Sequence, residues 1–243
     1  MSTLFSVNLN KLALLRNSRG NDYPNLGYFV ERLIGLGVKG FTVHPRPDQR
    51  HIRYEDVYEI KDLLRKHSEI EFNIEGNPNE RFIELVKDVK PHQCTLVPDD
   101  DNQLTSDHGY DVQNEGEYLS MLNKAFASSD IRCAVFLDAN ITQMGSIIEN
   151  NIGAVELYTE EWATKFNQSN FVEAKERYLQ CVQLANKHGV RVNAGHDLNL
   201  ENLRALLDLG DISEVSIGHA FTMECIEYGI DQVVSRYLEI CSD

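Results

Sequence analysis

The stretch Ala185-Asn186-Lys187-His188-Gly189-Val190-Arg191-Val192-Asn193-Ala194-Gly195-His196 holds a helix end, a strand and a strand end in immediate succession. Ala174, Tyr178, Cys181, Val182 and Ala185 lead into it as an apolar stripe at helical spacing. The helix stops at Lys187-His188-Gly189, where cations suit the negative end of the helix dipole and glycine suits the left-handed C′ position. The β-branched run Val190–Ala194 follows and closes on Gly195-His196.

The same succession recurs along the chain. Seven further short runs read as strands: Leu4–Asn10, Gly40–His44, Glu71–Glu75, Gln93–Pro98, Cys133–Asp138, Ala154–Thr159 and Glu214–Ala220. Gly37 ends an earlier helix as Gly189 does, and Val57, Ile60, Leu63 and Leu64 form another helical stripe. Runs this short and apolar read as buried parallel strands, because a half-exposed antiparallel sheet would alternate strictly. Strand–helix alternation implies right-handed crossovers between parallel strands. Eight such units in 243 residues predict an α/β chain folded as a (β/α)8 TIM barrel. A doubly wound open sheet is the second reading, but it usually needs fewer strands and no switch point is marked. No linker or composition shift divides the chain, so 1–243 reads as a single domain. Two long βα loops, Pro98–Tyr110 and Thr159–Asn170, read as lids or subunit contacts.

Composition narrows the function classes. With 42% hydrophobic and 25% charged residues the chain is of ordinary globular type. Lys and Arg total 23 against 38 Asp and Glu, a formal charge of −15, which argues against nucleic-acid and anionic-membrane partners. Anionic ligands must then be held by a few local cations and backbone N–H groups. The N-terminus shows no basic segment followed by a long apolar one, so no signal peptide is expected. The five scattered cysteines form no C-x-x-C pair and read as reduced thiols of a cytoplasmic protein.

In a barrel, reactive side chains gather at the carboxyl ends of strands. Here those ends offer Asn8, Asn10 and Lys11 with Arg16 and Arg19, then His44, Arg46, Arg50 and His51, then Glu75, Glu156 and Tyr158, and finally Gly195-His196 and Gly218-His219. A single strand-end histidine is more often a hydrogen-bonded core residue than a catalyst. Four on one rim (His44, His51, His196, His219) with arginines beside them are better explained as a site. His67, His92, His108 and His188 read as incidental, and Arg50 belongs either to an anion-binding cation set with Arg19, Arg46 and His51 or to a surface pairing with Glu55-Asp56. A metal is disfavoured, since no H-x-H or H-E-x-x-H pattern occurs and the arginines would repel a cation. Carboxyls at the ends of apolar strands, Glu75 and Glu156, would be partly desolvated and so tuned toward acid/base use. Arginines supply bidentate donors for phosphate or carboxylate, and glycines after the seventh and eighth strands let N–H groups approach an anion. From the residues alone, this is a barrel enzyme for a phosphorylated substrate that works by repeated proton transfer without metal or cofactor. A phosphosugar isomerase or aldolase is the alternative enzyme, with Lys11 the available Schiff-base lysine, and a catalytically silent phosphometabolite-binding protein is a further reading.

These residues resemble the pyridoxine 5′-phosphate synthase family over essentially the whole chain. The resemblance rests on Asn8-x-Asn10, Leu15-Arg16-Asn17-x-Arg19-Gly20, the block Thr42–Ile52, Asn73-Ile74-Glu75, Lys90-Pro91-His92 with Leu96-Val97-Pro98, Asn193-Ala194-Gly195-His196 and Ile217-Gly218-His219-Ala220. It implies a (β/α)8 barrel that condenses 3-amino-2-oxopropyl phosphate with 1-deoxy-D-xylulose 5-phosphate, giving pyridoxine 5′-phosphate, inorganic phosphate and water without metal. It also implies assembly as octamers built from dimers. By motif, His44 corresponds to the general base, Glu75 to a second acid/base, His196 to the proton donor and Glu156 to the glutamate that stabilises the charged transition state. Asn10, Lys11, Arg19, Arg46, His51 and Thr105 correspond to positions holding the deoxyxylulose phosphate, with the loop around Thr105 as a lid. Asn8, Asp197, Gly218 and His219 correspond to the aminoketone phosphate site. Three departures concern binding. Asn10-Lys11 stands for an Asp-His pair, Asp197 for glycine, and Tyr158-Thr159-Glu160 for His-Thr-Gly. Lys11 can neutralise a phosphate as a point charge but cannot copy imidazole chemistry. Asp197 suits a phosphate only through its N–H.

Overall fold

A computed structural model describes residues 2–100 and 103–242. Eight parallel strands, β1 (Leu4–Asn8), β2 (Gly40–Val43), β3 (Glu71–Gly76), β4 (Gln93–Leu96), β5 (Arg132–Leu137), β6 (Ala154–Tyr158), β7 (Arg191–Gly195) and β8 (Glu214–Ile217), pair in chain order, and β8 closes onto β1. The chain is a TIM barrel. The regular outer helices are α2 (Leu26–Gly35), α3 (Tyr54–Leu64), α4 (Glu80–Val89), α5 (Val112–Ala127), α6 (Ile141–Glu149), α8 (Phe171–Lys187), α9 (Leu203–Leu207) and α11 (Ile230–Ser242). Three others lie in the connections after β1, β6 and β8: α1 (Asn10–Asn17), α7 (Glu160–Lys165) and α10 (His219–Tyr228).

These additional helices correct the sequence reading in three places. The first strand stops at Asn8, and Asn10-Lys11 open α1. The last stops at Ile217, and His219-Ala220 open α10. The stretch Thr159–Asn170 is no open loop, since half of it is α7, packed through Trp162 against Phe171 and Tyr178. Leu9 extends the apolar run past Asn8, and nothing in Gly218-His219-Ala220 marks a stop after Ile217, so pattern alone places both strand ends too late. Of the loop Pro98–Tyr110, Asp101 and Asn102 lie outside the described residues.

The strands also alternate more strictly than the apolar reading allowed. In β3, Phe72 and Ile74 face the helices while Glu71, Asn73 and Glu75 face the barrel axis, and the same parity puts Gln93 and Thr95, Glu156, Asn193, Glu214 and Ser216 inside. The apolar core is the layer between sheet and helices. The barrel axis is a hydrogen-bonded polar column. Ser6 and Thr42 hydroxyls meet at 2.9 Å, and Thr95 Oγ1 donates toward Asn73 and Glu156, each at 3.2 Å. Lower down, Gln93 donates to Glu214 (3.2 Å) and accepts from Arg132 (2.7 Å) and Asn193 (3.0 Å).

This column makes stability pH-dependent. Burial pushes the Glu214 carboxyl up to about 7, opposed by Arg132 and Arg191. The folded protein therefore keeps a proton that the unfolded chain releases above about pH 4.3. Stability contributed by that proton is full below the unfolded value and is lost as pH rises toward 7. Glu214→Gln keeps an oxygen for Gln93 but removes the titration. Urea unfolding at pH 5 and pH 8 should show the wild type losing more stability than the variant across that interval, by up to roughly 3 kcal/mol. Equal losses would mean Glu214 is ionised throughout.

Candidate active site

The carboxyl rim is built around four buried or half-buried side chains. His44, just past β2, has its backbone N–H fixed by Asn10 Oδ1 at 2.9 Å, and its Nδ1 lies 3.8 Å from Glu75 Oε2. At that distance the pair interacts electrostatically without a direct hydrogen bond. Burial, with Arg46 and His51 nearby, holds the His44 imidazole well below its ordinary range, which keeps it neutral. Burial and the neighbouring carboxyl of Glu156 hold Glu75 well above the carboxylate range, so it keeps its proton. Glu156 is pushed up to about 8, by burial and then by Glu214, against a hydrogen bond from Thr95. A Cβ on Gly195 would lie 2.3 Å from Glu156 Oε1, so glycine at the end of β7 is what makes room for that carboxyl.

His196 follows Gly195. Its ring meets Tyr158 edge-on at 5.2 Å and leans on Phe136 at 5.7 Å, and burial lowers its pKa. His44 and His196 are close enough to disfavour each other's charge. The structure thus brings His44, Glu75, Glu156 and His196 to one end of the polar column.

Around them stand the anion-binding candidates. His51 Nδ1 accepts the Ile52 N–H at 2.9 Å, so the neutral ring carries its proton on Nε2 as a donor. Burial and the cations Arg46 and Lys11 bring its pKa to about 4. Arg46 is buried and ion-paired with Asp99, which also accepts from Ser106 Oγ at 2.7 Å. An arriving phosphate must therefore share Arg46 with Asp99. Gln103 O ties Arg46 and Arg50 to the loop after β4, at 3.3 and 3.0 Å. Asn8 Oδ1 accepts the Asn10 N–H at 3.0 Å, and Lys11 stands half-buried in the first turn of α1. Arg19, Thr105, Asp197 and His219 are exposed at the rim. Gly218 and His219 form the N-terminus of α10, where free N–H groups suit an anion, and a Cβ on Gly218 would sit 3.1 Å from Asn8 Cβ.

Two arginines lie elsewhere than expected. Arg16 is buried in a bidentate pair with Asp56, at 2.5 and 2.8 Å, and braces α1 against α3. Arg50 pairs with Asp48 at 2.7 Å; Asp56 belongs to Arg16. Sequence reasoning did not single out Asp99, Thr95 or Phe136. Thr95 could have been found from the inward parity it shares with Gln93. Asp99 is indistinguishable in sequence from its acidic neighbours, and Phe136 reads as ordinary core. Among the described residues no three His, Cys, Asp or Glu side chains converge as a metal cage.

Fold and site together define a TIM-barrel enzyme with buried acid/base groups beneath a cationic rim. A family model described as pyridoxal phosphate biosynthesis protein PdxJ matches residues 5–243, and the chain belongs to that family. It is 41% identical over 239 residues to a pyridoxine 5′-phosphate synthase of Christiangramia forsetii, covering 98% of this chain and 99% of that protein. It is 43% identical to one of Bacteroides thetaiotaomicron, covering 97% and 98%. In fold it is similar to a 3-keto-L-gulonate-6-phosphate decarboxylase of Vibrio cholerae, with TM-score 0.64, 8% identity and coverage of 99% and 98%.

Proposed function

We propose that the protein condenses 3-amino-2-oxopropyl phosphate with 1-deoxy-D-xylulose 5-phosphate, releasing inorganic phosphate, water and pyridoxine 5′-phosphate. The observation that carries the mechanism is the His44–Glu75 pair, a neutral base 3.8 Å from a protonated acid. Ring closure through carbinolamine dehydration, phosphate elimination and aromatisation needs protons taken and returned several times. A pair with one member empty and one loaded at neutral pH can do both without waiting on bulk water. His44 takes a proton as general base, and Glu75 supplies or accepts the next. His196, neutral at rest, collects a proton within the cycle before donating it. Glu156 holds its proton until positive charge builds on the substrate. Giving that proton to the departing hydroxyl, which leaves as water, it becomes a carboxylate that faces the charge in a site of low dielectric.

The two phosphates are held apart. Asn10, Lys11, Arg19, Arg46, His51 and Thr105 surround that of the deoxyxylulose phosphate; Asn8, the Asp197 N–H, Gly218 and His219 take that of the aminoketone. The loop carrying Thr105 is the lid, and its carbonyl contact to Arg46 couples phosphate binding to closure. A Schiff-base aldolase fits less well, since Lys11 is on a helix and only half-buried. We read the enzyme as cytoplasmic, and among the described residues no helix is long and apolar enough to cross a membrane. A homo-oligomer is supported by the exposed apolar residues Leu14 and Leu15 on α1 and Met223 and Ile226 on α10, two helices in mutual contact, and octamers built from dimers are what the family resemblance implies.

Calorimetric titration with 1-deoxy-D-xylulose 5-phosphate alone tests the binding half of the proposal. One equivalent should bind per chain, and His51→Ala should weaken it about tenfold, the worth of one hydrogen bond to a charged group. No binding by the unaltered protein would refute it.

A further inference from the structure

The backbone that carries His196 is bent against its own preference. His196 and Asp197 both have positive φ, +80° and +57°, a left-handed conformation that a Cβ disfavours. Two such residues in a row persist only where the surroundings impose them. Here three consecutive carbonyls are gripped from outside the turn. The Gly195 carbonyl accepts from the Thr159 N–H at 3.0 Å and faces its Oγ1 at 2.7 Å. The same hydroxyl lies 2.5 Å from the His196 carbonyl, so its single proton is shared between the two. The Asp197 carbonyl accepts from Asn202 Nδ2 at 3.2 Å. Thr159 is fully buried and Asn202 nearly so, and Asn202 is itself held by the Asn199 N–H at 3.0 Å.

With its carbonyls turned this way, the loop presents its other side to the rim. Among the described residues the Asp197 N–H has no protein acceptor. The His196 ring is confined by Tyr158, whose carbonyl is tied by the Tyr178 hydroxyl at 2.5 Å. We propose that Thr159, together with Asn202, is a positioning residue that holds the His196-Asp197 turn left-handed, so that the imidazole and the Asp197 N–H both face the substrates. This rests on the reading of His196 as proton donor given above.

The test compares Thr159→Val, which keeps the shape and removes the donor, with Thr159→Ser, which keeps the hydroxyl. Thr159→Val should lower kcat by about 100-fold, the scale of an ångström-sized misplacement of a catalytic group. Its KM for 1-deoxy-D-xylulose 5-phosphate should hold, because the groups assigned to that phosphate lie on other elements. Thr159→Ser should restore kcat to within a few-fold. A second readout needs no turnover: NMR titration of the His196 ring. The charged and titratable groups facing that ring are Asp197, Asp99, Arg46, Lys11, His44 and Tyr158, and both substitutions leave them in place. Burial lowers the His196 pKa, so a released turn should let it rise toward the ordinary value in the valine variant and not in the serine variant. Unchanged kcat and unchanged titration in Thr159→Val, or equal losses in both variants, would overturn the proposal. If Thr159→Val does not fold, Asn202→Asp carries the same test, since it keeps the acceptor for Asn199 and removes the donor to Asp197. If the unaltered protein makes no pyridoxine 5′-phosphate, the proposed function fails, while the ring titration still decides the clamp.

Discussion

Gly195→Ala is expected to cut kcat by about 10²–10³, the cost of losing one preorganised charge-stabilising group, with little change in fold. Nothing in the backbone demands glycine here, because Gly195 is a strand residue without positive φ. What demands it is Glu156, whose Oε1 would stand 2.3 Å from the new Cβ. That carboxyl accepts from Thr95, and the new Cβ would also stand 3.5 Å from Ser216 O, so the carboxyl has to leave its place at the top of the polar column to relieve the clash. Overpacking of this kind costs about 1–3 kcal/mol of stability, which a barrel of this size survives. Phosphate release in steady state measures the effect. The combination Gly195→Ala with Glu156→Asp supplies the control. A shorter carboxyl relieves the clash, so the double variant should be more active than the product of the two single losses. Activity of Gly195→Ala within threefold of wild type would mean that Glu156 is not used where it stands.

The second large effect is expected at His196. His196→Ala should retain binding of both phosphorylated substrates and lose turnover by about 10³, within the range for a general acid/base group. Its backbone N–H and that of Asp197 survive the substitution, so the proposed anion contact of Asp197 is left intact. The ring is what is removed. Calorimetry for binding and phosphate release for turnover separate the two. Full activity would place the proton donor elsewhere, with Glu75 the remaining candidate.

The barrel is legible in the sequence because its repeating unit is local. Helices show as apolar stripes such as Val57–Leu64 and Ala174–Ala185 and end at features such as Lys187-His188-Gly189, and eight recurring strand runs between them leave few alternatives. Strand ends are less legible. Asn10 and His219 lie two residues past Asn8 and Ile217, where the ladder stops, and no residue between them marks that stop. The polar column is the larger omission. Glu71-Phe72-Asn73-Ile74-Glu75 has a period of two, but a barrel closed on itself has two insides, and only the outer one is apolar here. The rim candidates are visible because chemistry in this fold gathers at strand ends. Asp99 and Phe136 are not, since what singles them out is contact with Arg46 and His196 across the barrel. Arg16 shows the converse. It has the right neighbours in sequence, yet its guanidinium is spent on Asp56.

The most direct test mixes the purified protein with 3-amino-2-oxopropyl phosphate and 1-deoxy-D-xylulose 5-phosphate and follows phosphate release together with pyridoxine-phosphate absorbance. Both signals should rise together in equal amounts, and only when both substrates are present. Phosphate release without the pyridine product, or neither signal, would contradict it.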